Sequence, residues 1–328
     1  RTSMRLIVLL GMMCFFAPSF GATKPMPSAA GRPQGTVYLA DWADKNGFKM
    51  RYNPKTLAIA LTNRWASIDL LGNSKRGTVN GISVFLSFPV RVFNGRFLVY
   101  QKDLNTLFEP VLYPKRLPGS VKVRSIALDP GHGGRDPGYQ VENHQEKKYT
   151  LLLAREVQEQ LERAGIKTML TRRSDTYVER DTRADLARKG KADLFVSLHY
   201  NAAADTSATG VETYAVTPFG AEATNGGETS LLRYPGNKFE QQSILLAYEV
   251  QRSITRGLDA ADRGVRRAGF EVLRKAPMPA ILIESGFISN SADAKKVFDE
   301  KYREEMARAI VDGILSYKRI MERGSVSK

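Results

Sequence analysis

From residue 121 onward the chain alternates short apolar runs with segments of helical period, and few architectures accept that rhythm. KVRSIALD, IKTMLTR, ADLFVSLH, GVETYAV, FEVLR and AILIES have the length and bulk of strands. Residues 146–164 place Tyr149, Leu152, Leu153, Val157 and Leu161 on one helical face, and Gly165 ends that helix. Residues 177–189 read as a basic helix, and 241–257 and 302–320 as two more. Alternation of this kind builds an α/β domain with a largely parallel central sheet flanked by helices. The polar, glycine-rich stretch 218–240 breaks the rhythm and reads as a long loop without a long helical pattern.

Residues 36–120 have another texture. TVYLADW, TLAIALTN, ISVFLSF and RFLVY read as strands, and Asn80-Gly81 and Asn94-Gly95 as hairpin turns. WADKNG reads as a short helix end. No histidine and few acids occur here, so this is a small β-rich N-terminal domain without a catalytic constellation. TVNGISVFLSFPVRVFNGRFLVYQKDL resembles the small β-rich module at the N-terminus of copper amine oxidases and in many exported wall proteins. No ligand set for copper accompanies it. The two prolines and the glycine of YPKRLPGSVKV place the domain boundary near residue 120.

The first 22 residues have the layout of a secretory signal peptide: Arg1 and Arg5, an uncharged run from Leu6 to Phe16, then small residues ending at Gly21-Ala22. That run is shorter than the ~20 residues of a membrane span, so no stable membrane insertion is expected after cleavage. Residues 23–35 read as a flexible lead-in, and 321–328 as a tail. The sole cysteine, Cys14, lies in the leader, which excludes thiolate ligands and cysteine nucleophiles from the mature chain. A net charge of +15 would suit nucleic acid, anionic lipid or an acidic polymer. No nucleic-acid motif accompanies the charge, so nucleic acid is not an expected partner.

Outside the leader, His132 and His199 both end apolar strands, one in Pro130-Gly131-His132-Gly133-Gly134, the other in His199-Tyr200-Asn201. Parallel strands open their C-termini on one sheet edge, so two imidazoles there can reach one metal. Catalytic zinc takes three protein ligands and keeps a fourth position open. Glu142, His144 and Glu146 are candidates for the third; Glu146 ranks first, because it begins the following helix, where a carboxylate suits the dipole. The buried run AILI ends in Glu284, a costly place for a carboxylate without a partner or a task, and a general base is the task that fits. Singly, each of these residues has a bland explanation, as a loop histidine, a core histidine or a solubilising glutamate. Their convergence on one edge favours a zinc hydrolase. The glycine loop lacks the Lys-Ser/Thr ending of a phosphate-binding P-loop.

LDPGHGGRDPG, QEKKYTLLLA, LTRRSDTYVERDTRADLA, ADLFVSLHYNA, GVETY, DRGVRRAGFEVLR and MPAILIESGFISN occur in that order. Together they resemble the zinc-dependent N-acetylmuramoyl-L-alanine amidases of the amidase-3 type, over residues 121–320. The resemblance implies one zinc per chain on His132, Glu146 and His199, with Glu284 as catalytic base and then acid. The implied reaction cuts the amide between the lactyl group of N-acetylmuramic acid and L-alanine in peptidoglycan. The leader pattern makes an exported protein of the periplasm or cell wall the expectation, and residues 36–120 read as a wall-docking module or a structural addition. Arg172, Arg263 and Arg266 are candidates to meet stem-peptide carboxylates, with Tyr200 and Asn201 beside them. Tyr200 stands where many relatives have a small residue, which would alter the rim. Some relatives carry a metal-covering helix where this chain has 218–240, and none is expected here. Two other readings compete: a zinc peptidase acting on the stem peptide, and a non-catalytic wall-binding or activator protein.

Overall fold

In the computed structural model, which describes residues 32–324 apart from 118–121, 227–228, 230 and 259, eleven strands share one mixed sheet. In chain order they are β1 (Lys49–Tyr52), β2 (Ala58–Thr62), β3 (Ser67–Leu71), β4 (Arg76–Val79), β5 (Ile82–Phe85), β6 (Ser125–Pro130), β7 (Lys167–Leu170), β8 (Leu194–Asn201), β9 (Val211–Val216), β10 (Asp262–Ala268) and β11 (Ala280–Phe287). Across the sheet the order is β7-β6-β8-β11-β9-β10-β5-β4-β3-β2-β1. The first four of these are mutually parallel, and β9 runs antiparallel to β11. The leader and the last four residues of the expected tail lie outside the described residues, as do most of the lead-in and the immediate surroundings of residue 120.

Seven of the eight residues of β8 are buried, as befits a parallel strand covered on both faces. Alternate side chains feed two cores. Ile126, Leu128, Val196, Leu198, Ile281 and Ile283 join the core that contains the apolar faces of α1 (Glu146–Arg163), α3 (Glu240–Leu258) and α5 (Glu300–Gly324). Ala127, Phe195, Tyr214 and Leu282 face the other side, toward α2 (Arg180–Lys189) and the short helix Glu271–Lys275.

Three local expectations change. FEVLR is not a strand: Leu273 and Arg274 both donate backbone N–H groups to Phe270, closing the short helix Glu271–Lys275. The strand of that region is Asp262–Ala268 instead. TVYLADW is a strand only over Thr36–Tyr38, after which Leu39–Lys45 is helical and buries Leu39, Trp42 and Ala43. A further helix, α4 (Ser291–Phe298), begins at Asn290, whose side chain caps the N–H groups of Ala292 and Asp293. Asn80 and Gly81 both have positive φ, as do Asn94 and Gly95, the geometry that two-residue hairpin turns need.

Strands β1–β5 form an antiparallel meander that continues the sheet of β6–β11, because β5 pairs in parallel with β10 through Val84 and Val265. Arg267 of β10 is 1% exposed and sends its guanidinium into residues 87–106. It donates to Ser87 Oγ at 2.7 Å, Asp103 Oδ1 at 3.1 Å and the Thr106 carbonyl at 2.9 Å. A buried charge stripped of such partners is strongly destabilising, so the two halves are bound together inside the core. In the 218–240 stretch, the described residues from 217 to 226 are turns and irregular chain; Pro235–Phe239 forms a single turn, and α3 starts at Glu240.

Candidate metal centre

After β6 the chain turns through Gly131, and His132 adopts φ +61, a backbone region that non-glycine residues enter only where the surroundings enforce it. Two buried arginines do so. Arg172 donates to the carbonyls of Pro130 (3.0 Å), Gly131 (2.8 Å), Lys147 (2.7 Å) and Ser174 (3.1 Å). Arg183 donates to the His132 carbonyl at 2.8 Å and pairs with Asp129 at 2.8 Å. Asp129 also accepts from Thr171 (2.6 Å) and Ser197 (2.8 Å). Gly131 allows the loop to close on β8: a Cβ there would overlap the His199 ring.

This scaffold brings His132, Glu146 and His199 together, with one ligand atom from each lying within 4.8 Å of the others. His132 Nε2 is 3.1 Å from Glu146 Oε1, and His199 Nδ1 is 3.2 Å from the same oxygen. The two rings stand nearly perpendicular, 4.9 Å apart. Asp136 Oδ2 lies 3.0 Å from His132 Nδ1, off the line of a well-formed hydrogen bond, and occupies the outer side of that ring. Glu146 opens α1 and is 3% exposed; its Oε2 accepts from the Tyr139 N–H (3.0 Å) and its Oε1 from the Tyr200 N–H (3.1 Å). Burial opposes ionisation of Glu146. The His132 charge and hydrogen bonds from both imidazoles outweigh it and hold the carboxyl well below the usual carboxylate range. Burial likewise opposes the charged form of His132, yet Glu146 and Asp136 push that imidazole up to about 10.

Glu284 of β11 is the register partner of His199. Its Oε2 is shielded from solvent and has no hydrogen-bond partner. Burial, then the negative charges of Glu146 and Glu212, push its carboxyl well above the ordinary value. The alternatives for the third ligand lie elsewhere. Glu142 is exposed in a turn at φ +50. His144 stacks on Phe298 at 3.8 Å and shares a 2.5 Å hydrogen bond with the Tyr149 hydroxyl.

The candidate substrate residues divide. Arg172 is 3% exposed and its donors are taken by carbonyls, so it shapes the His132 loop and is not free for a ligand. Tyr200 does not form the rim: alternation along β8 sends it to the face opposite His199, where it is 4% exposed within the helical core. Asn201 is buried and donates to Glu212. Arg263 and Arg266 do lie beside the site, both directed at Glu212. Asp136, Arg183 and Glu212 went unrecognised in the sequence. Asp136 stands four residues after His132, and Glu212 is a carboxylate inside the apolar run GVETYAV, the same signal that singled out Glu284.

Residues 126–316 match the family model described as N-acetylmuramoyl-L-alanine amidase. The chain is 34% identical over 204 residues to the N-acetylmuramoyl-L-alanine amidase LytC of Bacillus subtilis, covering 62% of this chain and 37% of that relative. It is 29% identical over 262 residues to the probable cell wall amidase LytH of Staphylococcus saprophyticus, covering 79% of this chain and 73% of that relative. Among solved structures, the amidase AmiC2 of Nostoc punctiforme superposes with a TM-score of 0.51 at 32% identity, over 61% of this chain and 99% of that one. The family match spans more than half of the chain and contains His132, Glu146 and His199 together with Glu284, so this protein belongs to the N-acetylmuramoyl-L-alanine amidases of the amidase-3 family.

Proposed function

We propose that this protein cuts the amide between the lactyl group of N-acetylmuramic acid and the L-alanine of the stem peptide in peptidoglycan. One zinc ion per chain is held by His132, Glu146 and His199, and Glu284 is the general base. The observation that carries this reading is the convergence of three donor atoms within 4.8 Å, next to a carboxylate whose inner oxygen has no partner.

The residues fit zinc. Two imidazoles and one carboxylate make a donor set that catalytic zinc sites use, with a fourth position left for solvent. Glu146 and Glu284 place two buried carboxyl groups close enough to perturb one another, a charge set that a divalent cation balances. When bound, zinc supplies Lewis acidity, making a water acidic and polarising the scissile carbonyl.

The protein side of the reaction follows from its own groups. Asp136 on the outer side of His132 orients that ring so that Nε2 faces inward. The N–H groups of Tyr139 and Tyr200 fix both oxygens of Glu146. Glu284 takes a proton from the attacking water and returns it to the departing amine of L-alanine, a task suited to a carboxyl of raised proton affinity. Export to the periplasm or cell wall belongs to the same proposal, supported by the leader pattern of residues 1–22. Among the described residues no helix is long and apolar enough to cross a membrane.

The deciding experiment is product analysis on purified muropeptides. Stem peptides with a free L-alanine amine and bare N-acetylmuramic acid ends are expected. Shortened peptides still attached to the sugar would mean a stem peptidase, and unchanged muropeptides a non-catalytic protein.

A further inference from the structure

Beside Glu284 the sheet carries a charged group that the reaction above leaves without a task. Glu212 of β9 lies directly across from Glu284 and is 3% exposed. Its Oε1 accepts from the Asn201 amide. Its Oε2 faces two guanidinium groups, with Arg266 Nε at 2.7 Å and Arg263 Nε at 3.6 Å.

In a regular strand, residues 263 and 266 would point to opposite faces. The pairing of β9 with β10 prevents this. Val211 pairs with Asp262 and Glu212 with Gly264, so Arg263 is the extra residue of a bulge. Gly264 has φ +94, which allows the strand to kink there. The bulge turns Arg263 to the side of Arg266, and Arg267 faces away into its buried pair with Asp103. Re-aiming a side chain beside an active site is a recurring use of such bulges.

One carboxylate facing two guanidinium groups leaves a positive charge without a counterpart. Arg263 lies over Phe287 at 4.6 Å and Arg266 over Phe85 at 4.1 Å, so each plane rests on an aromatic ring. Among the described residues, no protein acceptor receives a hydrogen bond from the terminal nitrogens of either arginine, and the Arg263 side chain is 34% exposed. Such a pair presents donor forks that match a carboxylate. The lactyl carboxyl of the proposed substrate is consumed in the scissile amide, so its remaining carboxylates are on the peptide.

We infer that Arg263 and Arg266, anchored by Glu212, form a carboxylate site that reads an acidic residue of the stem peptide close to the scissile amide. This rests on the amidase reading above. The test compares two muramyl peptides that differ only in the residue after L-alanine, which carries a free carboxylate in one and its carboxamide in the other. The full-length, zinc-loaded chain should prefer the acid in kcat/KM by roughly tenfold or more, chiefly through KM. Arg263→Ala should bring that ratio toward one, and Arg263→Lys should restore part of it. Three results would overturn the inference: no wild-type preference, equal slowing of both substrates by Arg263→Ala with the ratio kept, or a lysine variant indistinguishable from alanine. Cleavage of neither peptide by the wild type would instead overturn the amidase reading itself.

Discussion

The two sides of the candidate site are built by opposite rules. On the side of β6 and β8, the charged side chains behind the ligand loop are closely partnered. Asp129 accepts from Arg183, Thr171 and Ser197, and Arg172 spends its donors on four carbonyls. On the side of β11, β9 and β10, Glu284 Oε2, Ser285 Oγ and Arg263 Nε are shielded from solvent yet without hydrogen-bond partners. An unpaired buried polar group costs about 1–3 kcal/mol. On the first side His132 Nδ1 is also shielded without a well-formed hydrogen bond, but Asp136 Oδ2 lies 3.0 Å from it. Charges paired behind the ligand loop on one side and left open on the other separate two tasks. The first side must hold ligands in place before any substrate arrives. On the proposed reading, the partners of Glu284 and Arg263 are water and substrate.

Substitution at the two sides should therefore fail in different ways. His132→Ala removes a ligand, so bound zinc and turnover should both vanish. Glu284→Ala should keep about one zinc per chain and lose turnover by roughly a hundredfold to ten-thousandfold. Metal content by mass spectrometry, set beside turnover of muropeptides, separates the outcomes. Near-normal turnover in the Glu284 variant would remove it as the base. Full zinc in the His132 variant would dissolve the division of labour.

A smaller but still large effect is expected behind the ligand loop. Arg183 and Asp129 are both buried, at 4% and 1% side-chain exposure. Arg183→Ala leaves Asp129 charged without its cation and frees the His132 carbonyl, while the Pro130 carbonyl keeps only Arg172. Breaking one partner of a buried pair costs about 3–5 kcal/mol. The urea midpoint should fall accordingly, with zinc retention falling in parallel. An unchanged midpoint would mean that the loop does not depend on this arginine.

The first side was more legible in the sequence than the second, for a physical reason. Strand ends, glycine turns and the helix start at Glu146 are local features, and a parallel sheet gathers strand ends on one edge whatever the details. That suffices to bring His132, Glu146 and His199 together. Arg263 and Arg266 reach one carboxylate only because β10 bulges against β9, and a bulge belongs to two strands at once. FEVLR was too short for its period to tell strand from helix. The fate of Tyr200 depended on which face each residue of β8 takes, and a uniformly apolar strand does not mark its faces. The joining of β5 to β10 is likewise a long-range pairing that no local pattern announces.

On the ligand-holding side, Asp136 touches a proposed ligand without being one. Asp136→Asn keeps the shape and removes the charge that orients His132. Loss of such a partner typically weakens metal binding by about 10–100-fold. Chelator competition measures it, and an affinity within twofold of wild type would assign Asp136 to the loop rather than to the metal site.

A last effect, roughly tenfold for each pH unit, concerns protons on the ligand-holding side. The imidazole of His132 is pushed up to about 10: burial works against its charge, but Glu146 and Asp136 prevail. Without metal it therefore holds a proton at neutral pH, whereas a ligating imidazole must be neutral. Zinc and that proton compete for the same site. Because the value is raised, the proton is bound below about 10, so lowering the pH weakens zinc and raising it strengthens zinc. The apparent affinity should climb by roughly tenfold per pH unit between about 7 and 9, with about one proton released per zinc, and then level off. Competition against a chelator, corrected for the chelator's own protonation, follows the slope. In Asp136→Asn the imidazole loses one of the charges that raise it, so the plateau should set in at lower pH and flatten the upper end of that range. A wild-type affinity flat from pH 7 to 9 would mean that His132 is already neutral in the metal-free protein. Asp136 and Glu146 would then act on it through geometry alone.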